Sequence, residues 1–189
     1  RALLSCPAEQ HSKIAFRDML KKKYSDISAL NAAWKSDYKD WDDFLARKDF
    51  DTTVPAAQED FAAIEKTITD AYFTACRDAV KSASPDALYL GCRFGFGWLN
   101  PIVIKSAFDN CDVVTFNIYR DSPNDVKEKL VDGIADKPVL IGEFHFGSGD
   151  RGNFWGSLRP KPSSAERTKS MKSYLKDAVK NPMIIGAHW

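Results

Sequence analysis

Residues 138–147 read PVLIGEFHFG, an apolar run followed by a glycine, a carboxylate, and then aromatic and histidine side chains in alternation. A continuous apolar run of this length describes a strand buried on both faces, as in a parallel sheet covered by helices. Glu143 then falls where that strand ends. The decapeptide asks for neighbours that bury its first half and for a use for the anion at its tip.

Working outward, the same alternation of element types recurs. ALYLGCRF (87–94) is expected as a strand and NPIVIKSAF (100–108) as a helix with Pro101 at its start. DVVTFNIY (112–119) is a strand and SPNDVKEKLVDGI (122–134) a helix capped by Ser122. After PVLIGEF, SSAERTKSMKSYLKDAVK (163–180) is a helix with a serine cap, and PMIIGAHW (182–189) is the fourth strand. Strict βαβα order implies an α/β fold with a parallel sheet and right-handed crossovers. Four strands suit part of a doubly wound sheet or half of an eight-stranded barrel.

The first third is helical in pattern. Ile14, Phe16, Met19, Leu20 and Tyr24 recur at near-helical spacing over 9–24, with Lys21 to Lys23 as a solvated face. SDISALNAAW predicts a short helix capped by Ser25 or Asp26, and SDYKDWDDF a turn with an aromatic anchor. From Ala56 to about Ser82 the spacing predicts the longest helix, with Phe61, Ile64, Ile68, Tyr72, Phe73, Cys76 and Val80 along one face.

Composition limits the classes of partner. The 189 residues are 44% hydrophobic, enough for an ordinary core. With 27 basic and 26 acidic residues the net charge is +1, so no whole-chain field favours nucleic acid or an anionic membrane, and a neutral partner is more natural. No apolar run approaches the ~20 residues that span a bilayer. Cys6, Cys76, Cys92 and Cys111 lack metal-binding spacing, and Cys92 and Cys111 fit as small buried hydrophobes; the redox compartment stays open. The chain opens RALLSCPAEQ and stops at GAHW, inside what reads as ordered elements, so a fragment is expected.

The strand ends carry the chemistry. The stretch 147–164 after GEFHFG has no secondary-structure pattern, and loops this long are usually functional. Returns from helix to strand (SPDA, DNC, ADK, KNP) are short, which puts the site at the carboxyl ends of the strands in either α/β architecture. Residues two apart share a strand face, so Glu143 pairs with His145, Thr115 with Asn117 and Tyr119, and Tyr89 with Gly91 and Arg93. The last strand adds His188 and Trp189. Together these endings suggest a convergent pocket. Glu143 is either catalytic or a structural carboxylate paired with Arg93; His145 and His188 are structural or substrate contacts. A metal held by Glu143, His145 and His188 would need adjoining strands. Trp155 is a loop anchor or a surface on which a sugar ring stacks. Gly95 and Gly97 lack the third glycine of a phosphate-binding loop.

FRDMLKKKYSDISALNAAW, LYLGCRF, DVVTFNIY, GEFHFG with the following DRG, and NPMIIGAHW together resemble the carboxyl-terminal half of a retaining glycoside hydrolase barrel, most closely glycoside hydrolase family 50, the β-agarases. The resemblance spans nearly the whole chain; its helix and AAW segment is shared with related β-galactosidase families. It implies a partial (β/α)8 TIM barrel: a helical insertion after strand 4 over 1–55, then helix 4 through strand 8 over 56–189. It also implies a substrate of agarose or another galactose-containing oligosaccharide or polysaccharide, no cofactor, and a secreted or periplasmic setting. Glu143 matches the nucleophile at the end of the seventh strand. The acid/base of the family follows an asparagine, a pair this chain lacks. Its six glutamates are Glu9, Glu59, Glu65, Glu128, Glu143 and Glu166, and all but Glu143 lie in helical patterns, so the partner is expected upstream. By resemblance Arg93, Asn117, His145 and His188 serve sugar hydroxyls or nucleophile positioning, Tyr119 supports the nucleophile, and Trp155 and Trp189 stack on sugar. A carbohydrate-binding remnant and a β-galactosidase are the competing expectations.

Overall fold

A computed structural model describes residues 2–95, 100–126, 137–152 and 154–189. The chain divides into two units, Arg1–Ile68 and Thr69–Trp189. The elements of the first are α1 (Ala2–Ser5), α2 (His11–Lys23), α3 (Ile27–Trp34), α4 (Trp41–Ala46) and the opening turns of α5 (Pro55–Ala83).

Local signals set these helices. Asp26 caps α3, its carboxylate accepting from Ala29 N at 2.9 Å, and Lys35 closes it in the left-handed region at φ 55°. Asp40 accepts from Asp42 N and Asp43 N, and this double cap makes a six-residue helix where the sequence suggested only a turn. Phe16, Trp34, Phe44 and Phe61 interlock with ring centroids 5.3–6.0 Å apart. Ile14 is only half-buried, whereas Lys13 is 1% exposed. The ammonium of Lys13 donates to the Arg47 carbonyl at 2.6 Å and the Cys6 carbonyl at 3.2 Å, and burial lowers its pKa. That polar anchor breaks the simple amphipathic picture of α2.

Asp60 is the polar centre of this unit. Its buried carboxylate accepts from Lys23 Nζ at 2.7 Å, Tyr24 OH at 2.8 Å and Trp34 Nε1 at 2.9 Å. Lys21, Lys22 and Lys23 are all exposed as expected, and Lys23 also reaches this acid, whose hydrogen bond raises its pKa.

In the second unit β1 (Arg93–Gly95), α6 (Pro101–Asn110), β2 (Val114–Asn117), β3 (Val139–Glu143), α7 (Ser164–Lys180) and β6 (Ile184–Ala187) form the alternating pattern; a short pair, β4 (Gly147–Ser148) and β5 (Pro160–Lys161), lies between β3 and α7. The main sheet has the order β1-β2-β3-β6, all parallel. Asn100 caps α6 ahead of Pro101, and Ser163 caps α7. Phe73, Ile104, Phe108, Val114, Phe116, Ile118, Val139, Ile141 and Tyr174 are among the buried residues of the core on the helix side of the sheet.

Several expectations change. The strand expected over 87–94 shortens to its end, because Gly91 takes φ +63° and breaks the extended run; its left-handed backbone would drive a Cβ to 2.6 Å from Cys111 Sγ. Tyr89, Gly91 and Arg93 therefore do not share one strand face. Along α5, Ile68 and Tyr72 are 39% and 55% exposed and leave the apolar face assigned to them. Residues Pro123–Val126 form a 3-10 turn, with Asn124 N donating to Ser122 Oγ; the remainder of the helix expected there lies outside the described residues, as does Gly97. The loop over 147–164 is not patternless, since β4 and β5 pair in parallel within it.

Replacing Asp60 with Ala is expected to destabilise the folded state by about 2–4 kcal/mol, the range for removing a buried, hydrogen-bonded acid whose cation partner is half solvated. Urea denaturation followed by tryptophan fluorescence measures it; a change within 0.5 kcal/mol, the range of an ordinary surface substitution, would reduce Asp60 to that class.

Candidate active site

Strict alternation along β3 would aim Glu143 the wrong way. Val139 and Ile141 face the helices, so a third residue at the same period would enter the apolar core. The register avoids this: Phe116 pairs with Ile141, but the next residue, Asn117, pairs with Glu143, leaving Gly142 as the extra residue of a bulge. Parity flips at that point. Phe144 and Phe146 then face the core, where Phe144 stacks on Tyr174 with centroids 4.5 Å apart, while Glu143 and His145 remain partly exposed.

Both Glu143 oxygens are engaged. Arg93 Nη1 lies 2.9 Å from Oε1, and Tyr119 OH donates to Oε2 at 2.8 Å. A charge-assisted bond on one oxygen and a neutral donor on the other fix the plane of the carboxylate. Burial raises the Tyr119 pKa, and its bond to Glu143 adds to the rise, so the phenol remains a proton donor throughout neutral pH. Glu143 retains 35% exposure of its side chain, so the group is held without being sealed.

Gly142 makes the ion pair possible. A Cβ there would come to 2.5 Å from Arg93 Cδ and 2.6 Å from Thr115 Cγ2. The arginine stem occupies the space a side chain would need.

The structure brings some expected residues together and leaves others apart. Asn117 sits at the bulge beside Glu143, and its Oδ1 is buried with no partner among the described residues. His145 and Trp189 form a second group, with ring centroids 5.0 Å apart, and Trp189 also meets Phe144 edge-on at 5.2 Å. His188 joins through its backbone N–H, which donates to the Ile141 carbonyl at 2.9 Å; its side chain is exposed. Trp155 is 71% exposed, next to a fully exposed Phe154, and so does not anchor the loop. Among the described residues no group of three or more His, Cys, Asp or Glu could hold a metal, and Glu143, His145 and His188 make no such cluster. No helix among them is long and apolar enough to cross a membrane.

Three contributors lie beyond the sequence reading. Ser157 Oγ hydrogen-bonds His145 Nδ1; Asp121 pairs with Arg159 and, at 2.9 Å, with Lys161; Asp150 accepts from Ser164 N at 2.7 Å and Ser164 Oγ at 2.8 Å. Of the three, only Asp150 carried a signal in the sequence, as the first residue of the DRG segment.

The parallel sheet with its flanking helices agrees with the comparisons to known proteins. A model of the glycoside hydrolase 42 family, described as Beta-galactosidase, matches residues 5–170, and the chain belongs to that glycoside hydrolase family. Beta-agarase B of Vibrio sp. (strain JT0107) is 34% identical over 181 residues, covering 94% of this chain and 19% of that protein. The crystal structure of an agarase, AgWH50C, superposes with a TM-score of 0.88 at 35% identity, covering 99% of this chain and 27% of that one. An exo-beta-agarase structure gives a TM-score of 0.91 at 34% identity, covering 99% and 25%. More particularly, the relatives and solved structures it resembles are agarases, in line with the resemblance its motifs suggested. It spans about a fifth of the length of the curated relatives it matches.

Gly142→Ala should cost about 1–3 kcal/mol, as overpacking of a tight site does, and should move Arg93 off Glu143. A thermal melt with a crystal structure of the variant checks both; an unshifted melting temperature and an intact ion pair would mean that the bulge has room for a side chain.

Proposed function

We propose that this chain is the carboxyl-terminal half of a retaining glycoside hydrolase barrel, contributing strands five to eight and the nucleophile Glu143 to an enzyme that cleaves β-glycosidic bonds in agarose or agaro-oligosaccharides. On this reading residues 1–55 are a helical insertion after the fourth strand and 56–189 run from helix four to strand eight. The single observation that carries it is the carboxylate of Glu143, turned by a bulge onto the open face of the sheet and held by Arg93 and Tyr119.

The open face supports the barrel. Parallel sheets are normally covered on both sides, yet on the face away from the helices the Arg93 and Glu143 side chains are 56% and 35% exposed and Ile185 is 59% exposed. In a closed ring of strands that face is the interior and β1 and β6 gain neighbours at their free edges.

The chemistry follows the two-carboxylate scheme. Glu143 attacks the anomeric carbon as a proton donor about 5–5.5 Å away protonates the leaving oxygen; water then releases the sugar from the covalent intermediate. Arg93 and Tyr119 keep the attacking oxygen in line, and the proton donor is supplied by sequence outside these residues. Asn117, whose buried oxygen has no partner among the described residues, and His145 and His188 serve sugar hydroxyls. Trp189 and Trp155 offer faces for stacking on the neutral substrate. A β-galactosidase is the second reading, favoured by the description of the matched family; rates on agarose and on aryl galactosides separate the two.

In the full-length protein Glu143→Gln should lower kcat by at least about 10^3-fold while leaving oligosaccharide binding in place, and wild-type product should retain its anomeric configuration by proton NMR. Inverted product, or a fully active variant, removes Glu143 as nucleophile. Expressed alone, the 189 residues should associate through the open face and edges, read by light scattering; a monodisperse monomer with a cooperative melt would count against the missing half.

A further inference from the structure

Two independent features single out Ser157. It is in the left-handed backbone region at φ 69°, which among the described non-glycine residues it shares only with Lys35. Lys35 closes a helix, a common reason for such a conformation. Ser157 ends no helix, and a glycine would take this backbone at lower cost. What serine adds is its hydroxyl, and that hydroxyl sits on Nδ1 of His145.

Close approach of backbone brings it there. A Cβ on Gly147 would collide with the carbonyl of Gly156, so the strand leaving His145 and the segment entering Ser157 pass at a separation only glycine allows. Gly147 N donates to Arg159 O at 3.2 Å, and the β4–β5 pairing fixes the register of the return. The imidazole is thus held from two sides, by Ser157 at Nδ1 and by the Trp189 ring at 5.0 Å. Nε2 remains without a partner among the described residues.

We propose that Ser157 is a positioning residue, fixing the ring of His145 so that Nε2 is oriented for a sugar hydroxyl bound beside Glu143. This rests on the reading of Glu143 as the nucleophile. Serine is tolerated at a strained position because the hydrogen bond is made there, and the effect of Ser157 on substrate passes through His145.

Ser157→Gly tests it in the full-length protein, because the variant removes the hydroxyl while suiting the backbone. It should lower kcat/KM on an agaro-oligosaccharide about tenfold, the order for one well-placed hydrogen bond, with a melting temperature equal to or above wild type. His145→Gln combined with Ser157→Gly should lose no more than His145→Gln alone. Unchanged kcat/KM, or losses that multiply in the double variant, overturns the proposal. A second readout needs no turnover: the rate at which diethyl pyrocarbonate modifies His145, followed by peptide mass spectrometry with His188 as reference, should rise severalfold in Ser157→Gly. An unchanged ratio overturns the pinning. Absence of hydrolysis by wild type would instead sink the functional reading, with the labelling result still deciding the contact.

Discussion

The ion pair between Arg93 and Glu143 depends on an absent side chain. The two residues belong to β1 and β3, with β2 between them, and strands two apart in a sheet lie roughly 10 Å from one another. Only a long side chain laid across the intervening strand closes that distance to 2.9 Å. The arginine stem crosses over Gly142 and Thr115, in the volume a Cβ at Gly142 would claim. The same glycine is the unpaired residue of the bulge that turns Glu143 out of the core. Bulge, arginine and carboxylate therefore form one device, and changing any of them changes the aim of the others.

Behind the carboxylate, packing performs the complementary task. Phe144 and Phe146 follow Glu143 with opposite orientation, and both are buried against Tyr174 of α7. Tyr174 in turn donates its hydroxyl to the Ile118 carbonyl at 3.1 Å, tying helix to sheet just where β2 ends. An anion on the open face is consequently backed by aromatic contacts on the closed one. Moving the Glu143 backbone would require unstacking a ring pair, which converts a flexible strand end into a fixed platform.

Element type and order were legible because periodicity and capping report local physics. Pro101 after Asn100, Ser163 before α7 and the apolar run of β3 each act within a few residues. The alternation of strands and helices then fixed a parallel sheet, and the motif around Glu143 fixed the family. Features requiring contact between distant segments were not legible. A bulge is a mismatch between two strands, so nothing in VLIGEF alone announces it. The burial of Lys13 depends on carbonyls seven and thirty-four residues away, and Ser157 meets His145 only because two glycines permit a backbone crossing. Gly91 cut short a strand whose composition was persuasive, since a single positive φ outweighs local propensity.

The long loop after β3 illustrates how a segment without sequence pattern acquires a defined path. Two aspartates hold it. Asp150 accepts from the first turn of α7 through Ser164, and those bonds depress its pKa to about 2. Asp121, at the end of the preceding strand region, is lowered mainly by its bond to Arg159 and then by Lys161. In both cases the folded pKa lies below the ordinary value near 3.9, so the contribution is complete above that value and is lost as pH falls through the folded one. The clips are solvent-exposed and individually weak, but they act on opposite sides of the tip that carries Phe154 and Trp155. Because the ends are fixed and the tip is bare, those rings face solvent on a restrained arm, and the ordering entropy of the segment is largely spent in folding itself.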